Sequence, residues 1–404
     1  VGKKPLFVYS DENNFMFSST VTAIKDNIGK KLSINREAIA FYLKNGYIRP
    51  DISIYNEIQP LLPGNMIEVD LKSGLISRNQ VIQESKDYSD FNFNSENIFK
   101  EAKSLLELSV QRRVAGIKNP VLLFSGGIDS TVLAKEMLSL AESKPICISV
   151  KPLIPSTYDE PYARYAANRM GLQYISVGYP FRKLIEDIEK IISLLDQPLS
   201  LYSFYSLAYL TRCAREFGNV LFTGDGGDEV FYGYSQVQDW FQPDEFADND
   251  SIDYFVGPKP KASLSSWGKR QITVDLLGHS FVKVDKSTAE QQMEARCPFL
   301  DWDLMTFMRS VPEQFFINEN KTKRILKVII KEFPEWFINR QKIGFSFNFR
   351  YLMIPHYKHI YHEIDWERIS SLSAVNIDFL PFSYKKMFLN FDQYWKLYVL
   401  SKFF

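Results

Sequence analysis

The spacing of apolar positions near the start of the chain predicts β-strands and one helix. Two short apolar runs at 5–19 surround an acidic, amide-rich turn, a pattern that predicts a hairpin. Helical spacing at 36–44 lies between Asn35, a good N-cap, and Gly46, a helix stop. A further strand is predicted at 66–71. We expect this front part to be small and mostly β.

The next stretch, 80–95, is polar and lacks a clear period, which predicts a linker. From 95 to 114, apolar residues recur at helical spacing, and Ser95 is able to cap this helix. The helix leads to the apolar run 121–124, which is typical of a buried parallel strand.

Beyond this strand, helical and strand-like segments alternate, which predicts a doubly wound parallel α/β sheet. The predicted elements are helices at 130–142, 159–170, 183–195 and 203–217 and strands at 145–150, 173–177 and 219–223. After about 235 the pattern becomes helical and irregular as far as the C-terminus. A length of 404 residues predicts two domains.

Charge and cysteine content narrow the class of partner. With 48 Lys and Arg against 48 Asp and Glu, there is no global basic field to hold nucleic acid or a membrane surface. A small-molecule substrate is therefore expected. Cys147, Cys213 and Cys297 are far apart, which argues against a disulfide scaffold and a zinc ribbon. With no apolar run long enough to span a membrane, we expect a cytoplasmic protein.

A Gly-rich loop lies directly between the apolar run and a helix-forming run. Gly126 and Gly127 let the backbone approach an anion, and Ser125 and Ser130 add hydroxyl donors. On its own, the negative charge of Asp129 would repel a phosphate. Its position in this loop therefore predicts that it binds a Mg²⁺ ion that bridges the phosphates. The alternative is a simple turn and cap, but at about 7% usage per residue a chance match of five fixed positions is about one in a thousand. The loop predicts a site for phosphate groups.

A second Gly-rich segment, 222–234, follows another apolar run. Because the carboxyl ends of parallel strands meet at one edge of a sheet, this segment is expected to face the first loop, with Gly224 and Gly226 beside the bound ligand. Asp228 is then expected near Asp129, as a second Mg²⁺ ligand. The alternative is an acidic surface turn or a calcium loop.

Four motifs resemble one known family. The run SGGIDS at 125–130 looks like the pyrophosphatase loop shared by asparagine synthetases, β-lactam synthetases and related adenylating ligases, and the chain has no Walker A loop. The segment 222–234 is similar to S-G-x-G-x-D-E-x-F-G-G-Y of asparagine synthetases, 283–301 to K-x-D-R and E-x-R-x-P-F-L-D, and 340–345 to R-x-K-x-G-F. The resemblance implies an adenine nucleotide α-hydrolase-like fold and cleavage of ATP·Mg²⁺ between its α and β phosphates.

The resemblance also implies residue roles. Lys342, where the family keeps an essential lysine, is expected to be the catalytic cation, and Asp225 is expected to act as base toward the incoming amine. Asparagine synthetases often carry Glu at the position that matches Asp225. In the third block, buried pairs of Glu294 with Arg296 or Asp301 are expected to brace a helical cap, a structural role. The pair Asp159-Glu160 matches positions expected on the nucleotide side.

The front part resembles the last third of an N-terminal class II glutaminase domain. No Cys precedes Cys147, so the chain as given lacks the glutaminase nucleophile. Its start at Val1, in a half-sheet, favours a fragment of a longer polypeptide over a relict that uses free ammonia. The expected domains are a partial glutamine amidotransferase-like domain at 1–80 and an ATP-pyrophosphatase domain at 95–404.

The predicted function is that of a glutamine-hydrolysing asparagine synthase, which adenylates aspartate with ATP and amidates it with ammonia. The products are asparagine, AMP and pyrophosphate, and the ammonia comes from glutamine if the missing front is present. One alternative is the same chemistry on a sugar uronate or in peptide or β-lactam cyclisation. A second is a non-catalytic binding or assembly homologue, which is expected to lose Asp129, Asp228 or Lys342. We expect no nucleic acid or membrane partner, and a homodimer stays open.

Overall fold

The structure is a computed structural model of the chain. It describes residues 2–81, 86–151, 159–178, 184–233, 271–316, 322–340, 349–372 and 390–404. Among these residues, no helix is long and apolar enough to cross a membrane.

The front part is built on a three-stranded antiparallel sheet in the order β2-β1-β3. The predicted hairpin is confirmed, with Phe7 opposite Ser18 and Ser10 opposite Phe15. The elements of the front part are β1 (Phe7–Ser10), β2 (Phe15–Ser18), α1 (Val21–Asn27), α2 (Arg36–Asn45), β3 (Ile58–Pro60), β4 (Asn65–Val69) and β5 (Ile76–Gln80).

Helix α2 begins and ends where its cap residues predict. The side chain of Asn35 accepts a hydrogen bond from the Ala38 amide at 3.2 Å, and Gly46 ends the helix at φ +84°. Strand β5 was not predicted, because it lies at the edge of the expected linker. Both faces of the β4–β5 hairpin are largely exposed, so β5 carries no alternation of apolar and polar residues.

The central sheet has five parallel strands in the order β10-β9-β6-β7-β8, which confirms the doubly wound class. Its strands are β6 (Pro120–Leu123), β7 (Ile146–Lys151), β8 (Tyr174–Gly178), β9 (Val220–Phe222) and β10 (Glu294–Arg296). Every helix and strand predicted between 95 and 223 is present within three residues of its expected ends.

Helices cover both faces of this sheet. Val121 joins a core that includes Leu210 from one face, and the next residue, Leu122, joins the core with Leu133 from the other. The helices are α3 (Ser95–Val114), α4 (Ile128–Leu140), α5 (Asp159–Met170), α6 (Leu184–Ser193), α7 (Tyr202–Ala214), α8 (Gly227–Val230), α9 (Phe281–Glu290), α10 (Trp302–Ser310), α11 (Arg324–Ile329), α12 (Glu335–Ile338), α13 (Phe349–Met353), α14 (Tyr357–Glu363), α15 (Trp366–Ser371) and α16 (Phe391–Ser401), with a π-helix at Gln271–Ser280 and 3₁₀ turns at Pro298–Leu300, Glu313–Phe315 and Ile354–His356.

Two local expectations were wrong. Helix α3 is capped by Asn94, whose side chain accepts from the Asn97 amide at 2.9 Å, so Ser95 is the first helical residue and not the cap. The third block does not lie in a helical cap. Its residues 294–296 form β10, a parallel edge strand in which Ala295 pairs with Leu221. A three-residue strand with charged ends has too little alternation to be recognised in a sequence.

The front part shares its hydrophobic core with α6, α7 and the C-terminal helices. The Tyr42 hydroxyl of α2 donates to the Lys396 carbonyl of α16 at 2.9 Å. The indole of Trp395, also in α16, donates to the Ser200 carbonyl at 3.1 Å. Helix α2 and the last described helix of the chain therefore pack into one core.

Candidate active site

The predicted phosphate loop lies where β6 ends and α4 begins. Gly127 is the N-cap of α4, and Asp129 and Ser130 occupy the first turn of the helix. The Ser125 hydroxyl oxygen accepts from the Gly127 amide at 3.2 Å and lies 3.4 Å from the Ser130 hydroxyl. Because Gly127 has no side chain to cap the helix, this helix N-terminus presents backbone amides and hydroxyls suited to an anion.

Gly126 has a conformation and a packing that only glycine allows. Its φ is +67°, and a Cβ there would lie 2.3 Å from the backbone nitrogen of Ala163. The loop is therefore fixed against the first turns of α5.

The second Gly-rich loop faces the first one across the ends of β6 and β9, as predicted. A Cβ at Gly227 would lie 2.8 Å from the Asp129 carboxyl carbon, and one at Gly224 would lie 3.3 Å from the Asp129 Cβ. Gly226 has φ +93° and lies against Leu300. These glycines allow the second loop to pass directly over Asp129.

Asp129 and Asp228 are brought together by a lysine that sequence reasoning missed. Lys323 Nζ lies 2.5 and 2.6 Å from the two carboxylate oxygens of Asp129 and 2.6 Å from Asp228 Oδ1. Its side chain is only 6% exposed. Burial alone would lower the pKa of Lys323, but the charges and hydrogen bonds of the two carboxylates more than offset it, so its pKa lies above the ordinary value. Lys323 therefore remains an ammonium ion.

The backbone around Lys323 is arranged for this contact. Lys323 has φ +55°, which is uncommon for a residue with a side chain. A Cβ at Gly233 would lie 1.8 Å from Lys323 Cε and 2.3 Å from Asp228 Oδ1. The final glycine of the second motif thus leaves the space that the lysine fills.

Asp225 has a different partner. The Thr223 hydroxyl donates to Asp225 Oδ2 at 2.7 Å and lies 3.1 Å from Cys297 Sγ. Burial raises the pKa of Cys297 to about 11, so its thiol keeps its proton and donates to the threonine oxygen. The half-buried Asp225 carboxylate is thus oriented by two linked hydrogen bonds, from Cys297 to Thr223 and from Thr223 to Asp225.

Arg340 also contacts the phosphate loop. Its guanidinium donates to Asp159 Oδ1 at 2.6 Å and to the Ser125 carbonyl at 3.4 Å. It also lies 4.4 Å from the centre of the Tyr162 ring. Lys342, the predicted catalytic cation, lies outside the described residues.

The third block braces the edge of the sheet, but not through the buried pairs that were expected. Arg296 pairs with Glu294 at 3.1 Å, yet the Glu294 side chain is 55% exposed. The buried Asp301 pairs instead with Arg113 of α3 at 2.8 Å. Lys286, from the same block, pairs with Asp196.

The fold and site together define a class. A doubly wound parallel sheet with a Gly-rich phosphate loop and a facing acidic loop at the ends of adjacent strands is a nucleotide-binding α/β protein. The chain belongs to the asparagine synthase family, because the asparagine synthase family model matches residues 101–270 and 269–381, more than half of the chain. A second model, described as a glutamine amidotransferase domain, matches residues 1–79.

Individual relatives agree with this assignment. The "Putative asparagine synthetase (glutamine-hydrolyzing) 2" of Methanocaldococcus jannaschii is 31% identical over 241 residues, which are 58% of this chain and 45% of that protein. The glutamine-hydrolyzing asparagine synthetase of Gallus gallus is 22% identical over 301 residues, 69% of this chain and 50% of that protein. The chain spans about half the length of these relatives.

Among solved structures, glutamine-dependent NAD+ synthetase from Acinetobacter baumannii in complex with ADP matches 45% of this chain and 33% of its own, at 17% identity and a TM-score of 0.27.

Proposed function

We propose that this chain is an ATP-dependent, amide-forming ligase of the glutamine-hydrolysing asparagine synthase type. The observation that carries the proposal is the meeting of the two Gly-rich loops at the ends of β6 and β9, where Asp129 and Asp228 share the buried Lys323. A substrate carboxylate, most simply the side chain of aspartate, attacks the α-phosphorus of ATP and displaces pyrophosphate, which gives an acyl-adenylate. Ammonia then displaces AMP from the activated acyl group to give asparagine.

The chain's own groups have separate tasks in this scheme. The amides at the start of α4, with Ser125, Gly126, Gly127 and Ser130, hold the phosphates. Lys323 is an ammonium that offsets the charges of Asp129 and Asp228 beside the phosphates, and this pairing is strong because its surroundings exclude water. Lys342 stays the predicted second cation.

On the second loop, Gly224 and Gly226 stay the predicted nucleotide contacts. Asp225 is held by Thr223 with its carboxylate in one orientation, which suits a base that removes a proton from the amine.

The residues present fit Mg²⁺. Asp129 and Asp228 converge on one positive charge, and after pairing with Lys323 they retain one net negative charge. Magnesium commonly takes one or two carboxylates and completes its shell with phosphate oxygens and water. Bound there, it would neutralise charge on the leaving pyrophosphate.

The remaining predictions belong to the same proposal. Residues 1–80 and 95–404 are the two domains, and the ammonia comes from glutamine if the rest of the amidotransferase domain is present. The site is cytoplasmic and acts on small molecules. A second candidate is the same chemistry on another carboxylate. It is favoured by Asp225, which is tied back to Thr223 and is one methylene shorter than the glutamate often found in asparagine synthetases.

The test is pyrophosphate release from ATP·Mg²⁺ with ammonium chloride, with and without aspartate. We expect aspartate-dependent release with asparagine formed, and loss of release in Asp129→Ala and Asp228→Ala. Release with a uronate or peptide acid but not aspartate would move the assignment to the second candidate. Wild-type turnover by either variant, or no release with any acid, would contradict the proposal.

A further inference from the structure

Arg340 joins the phosphate loop to α5 through three different contacts. Its guanidinium pairs with Asp159, donates to the Ser125 carbonyl and lies over the Tyr162 ring. Its side chain is only 9% exposed. An ideal Cβ at Gly127 would lie 3.8 Å from Arg340 Nη2, so the guanidinium reaches the glycine turn of the loop itself.

The position of Asp159 is electrostatically costly for a phosphate site. One guanidinium separates its carboxylate from the loop carbonyl, so Asp159 places a negative charge beside the surface that must accept an anion. In water-poor surroundings such a charge is felt strongly. Arg340 masks the charge for as long as the two remain paired.

We propose that Arg340 binds the pyrophosphate half of the nucleotide, and that Asp159 is the carboxylate it leaves or shares when it does so. This inference rests on the proposed function, because it takes the loop to be a phosphate site. A guanidinium fork matches phosphate as well as carboxylate and is always charged. Asp159 therefore competes with the nucleotide for Arg340, and the competition sets the affinity of the site.

The proposal predicts effects of opposite sign for the two partners of one ion pair. Removing Arg340 removes a charge-assisted contact to phosphate and also exposes the charge of Asp159, so pyrophosphate binding weakens. Removing the charge of Asp159 frees Arg340, so binding becomes tighter. A bracing role alone would make both changes act in the same direction, through a less stable loop.

The probe is inorganic pyrophosphate with Mg²⁺, titrated into the full chain by calorimetry, which requires no acceptor acid. We expect Arg340→Gln to raise the dissociation constant of pyrophosphate by about 10- to 100-fold. Asp159→Asn should lower the dissociation constant by about two- to tenfold. The double variant should bind more tightly than Arg340→Gln alone.

Arg164 supplies the matched control. It pairs with Glu160 on the same helix and lies over the Tyr174 ring at 5.5 Å, but its side chain is 56% exposed. Arg164→Gln should leave the dissociation constant within about twofold of wild type.

Unchanged binding in Arg340→Gln would overturn the proposal, as would weaker binding in Asp159→Asn. If Arg340→Gln does not fold, Arg340→Lys keeps the charge and loses the fork, and it must still bind more weakly. Absence of pyrophosphate binding by wild type would sink this inference and the phosphate loop together. Wild-type binding without turnover on any acid would contradict the ligase proposal and leave the pairing of Arg340 with phosphate supported.

Discussion

Replacing Lys323 by methionine tests the buried charge cluster at the heart of the site. The change removes an ammonium that Asp129 and Asp228 share, at distances of 2.5 and 2.6 Å. The side chains of all three residues are at most 15% exposed, so solvent cannot replace the lost cation. Removing one partner of a buried ion pair costs about 3–5 kcal/mol. We expect Lys323→Met to lower the free energy of unfolding by that amount.

The measurement is urea unfolding followed by circular dichroism, with the midpoint lowered and the slope unchanged. The control is the triple variant Lys323→Met, Asp129→Asn, Asp228→Asn, which carries no charge in the cluster. It should recover most of the lost stability, because the cost lies in two buried carboxylates that face each other without the lysine. A loss below about 1 kcal/mol in Lys323→Met, the range of an exposed pair, would refute the reasoning. A triple variant no more stable than the single one would do the same.

Two further predictions concern the phosphate loop and the π-helix. Gly126→Ala should cost more stability than Gly116→Ala and should abolish pyrophosphate binding, since both glycines have positive φ but only Gly126 has a backbone atom 2.3 Å from the new Cβ. Gly116→Ala, with no atom within 4 Å, should cost only about 1 kcal/mol, and equal losses in urea unfolding would contradict the packing argument. Burial, together with the charge of Lys283, lowers the pKa of His279 to about 3, so its contribution to stability is complete above pH about 6.5 and is lost as the pH falls toward 3. The stability of His279→Gln should therefore fall less steeply than that of wild type over this window, and parallel curves for the two proteins would count against this reasoning.

The sequence predicted what depends on short-range pattern. The caps of α2 and the alternation of strands and helices from 95 to 223 each arise from residues within one or two turns of each other, so the prediction was confirmed. The facing of the two Gly-rich loops also followed, because strand ends in a parallel sheet share one edge.

Lys323 could not be found in this way. It meets Asp129 across 194 residues, and along the chain it lies in a basic run, Lys321 to Arg324, that is typical of a solvated loop. Its positive φ depends on the contact and not on a local signal. The same holds for Arg340 and Asp159, which are 181 residues apart. The edge strand β10 was missed because its partner β9 lies far away in the chain and its three residues carry no period.

The core shared by α2 and α16 has a consequence for how the chain is made. The Tyr42 hydroxyl finds its acceptor 354 residues later in the sequence. A ribosome releases α2 long before α16 is synthesised, so the part of α2 that α16 covers stays exposed until then. A contact between residues so far apart in the sequence also slows folding, because the entropy cost of closing the long loop comes before the contact can stabilise the fold. Helix α2 thus leaves the ribosome long before the helix that supplies its hydrogen-bond acceptor.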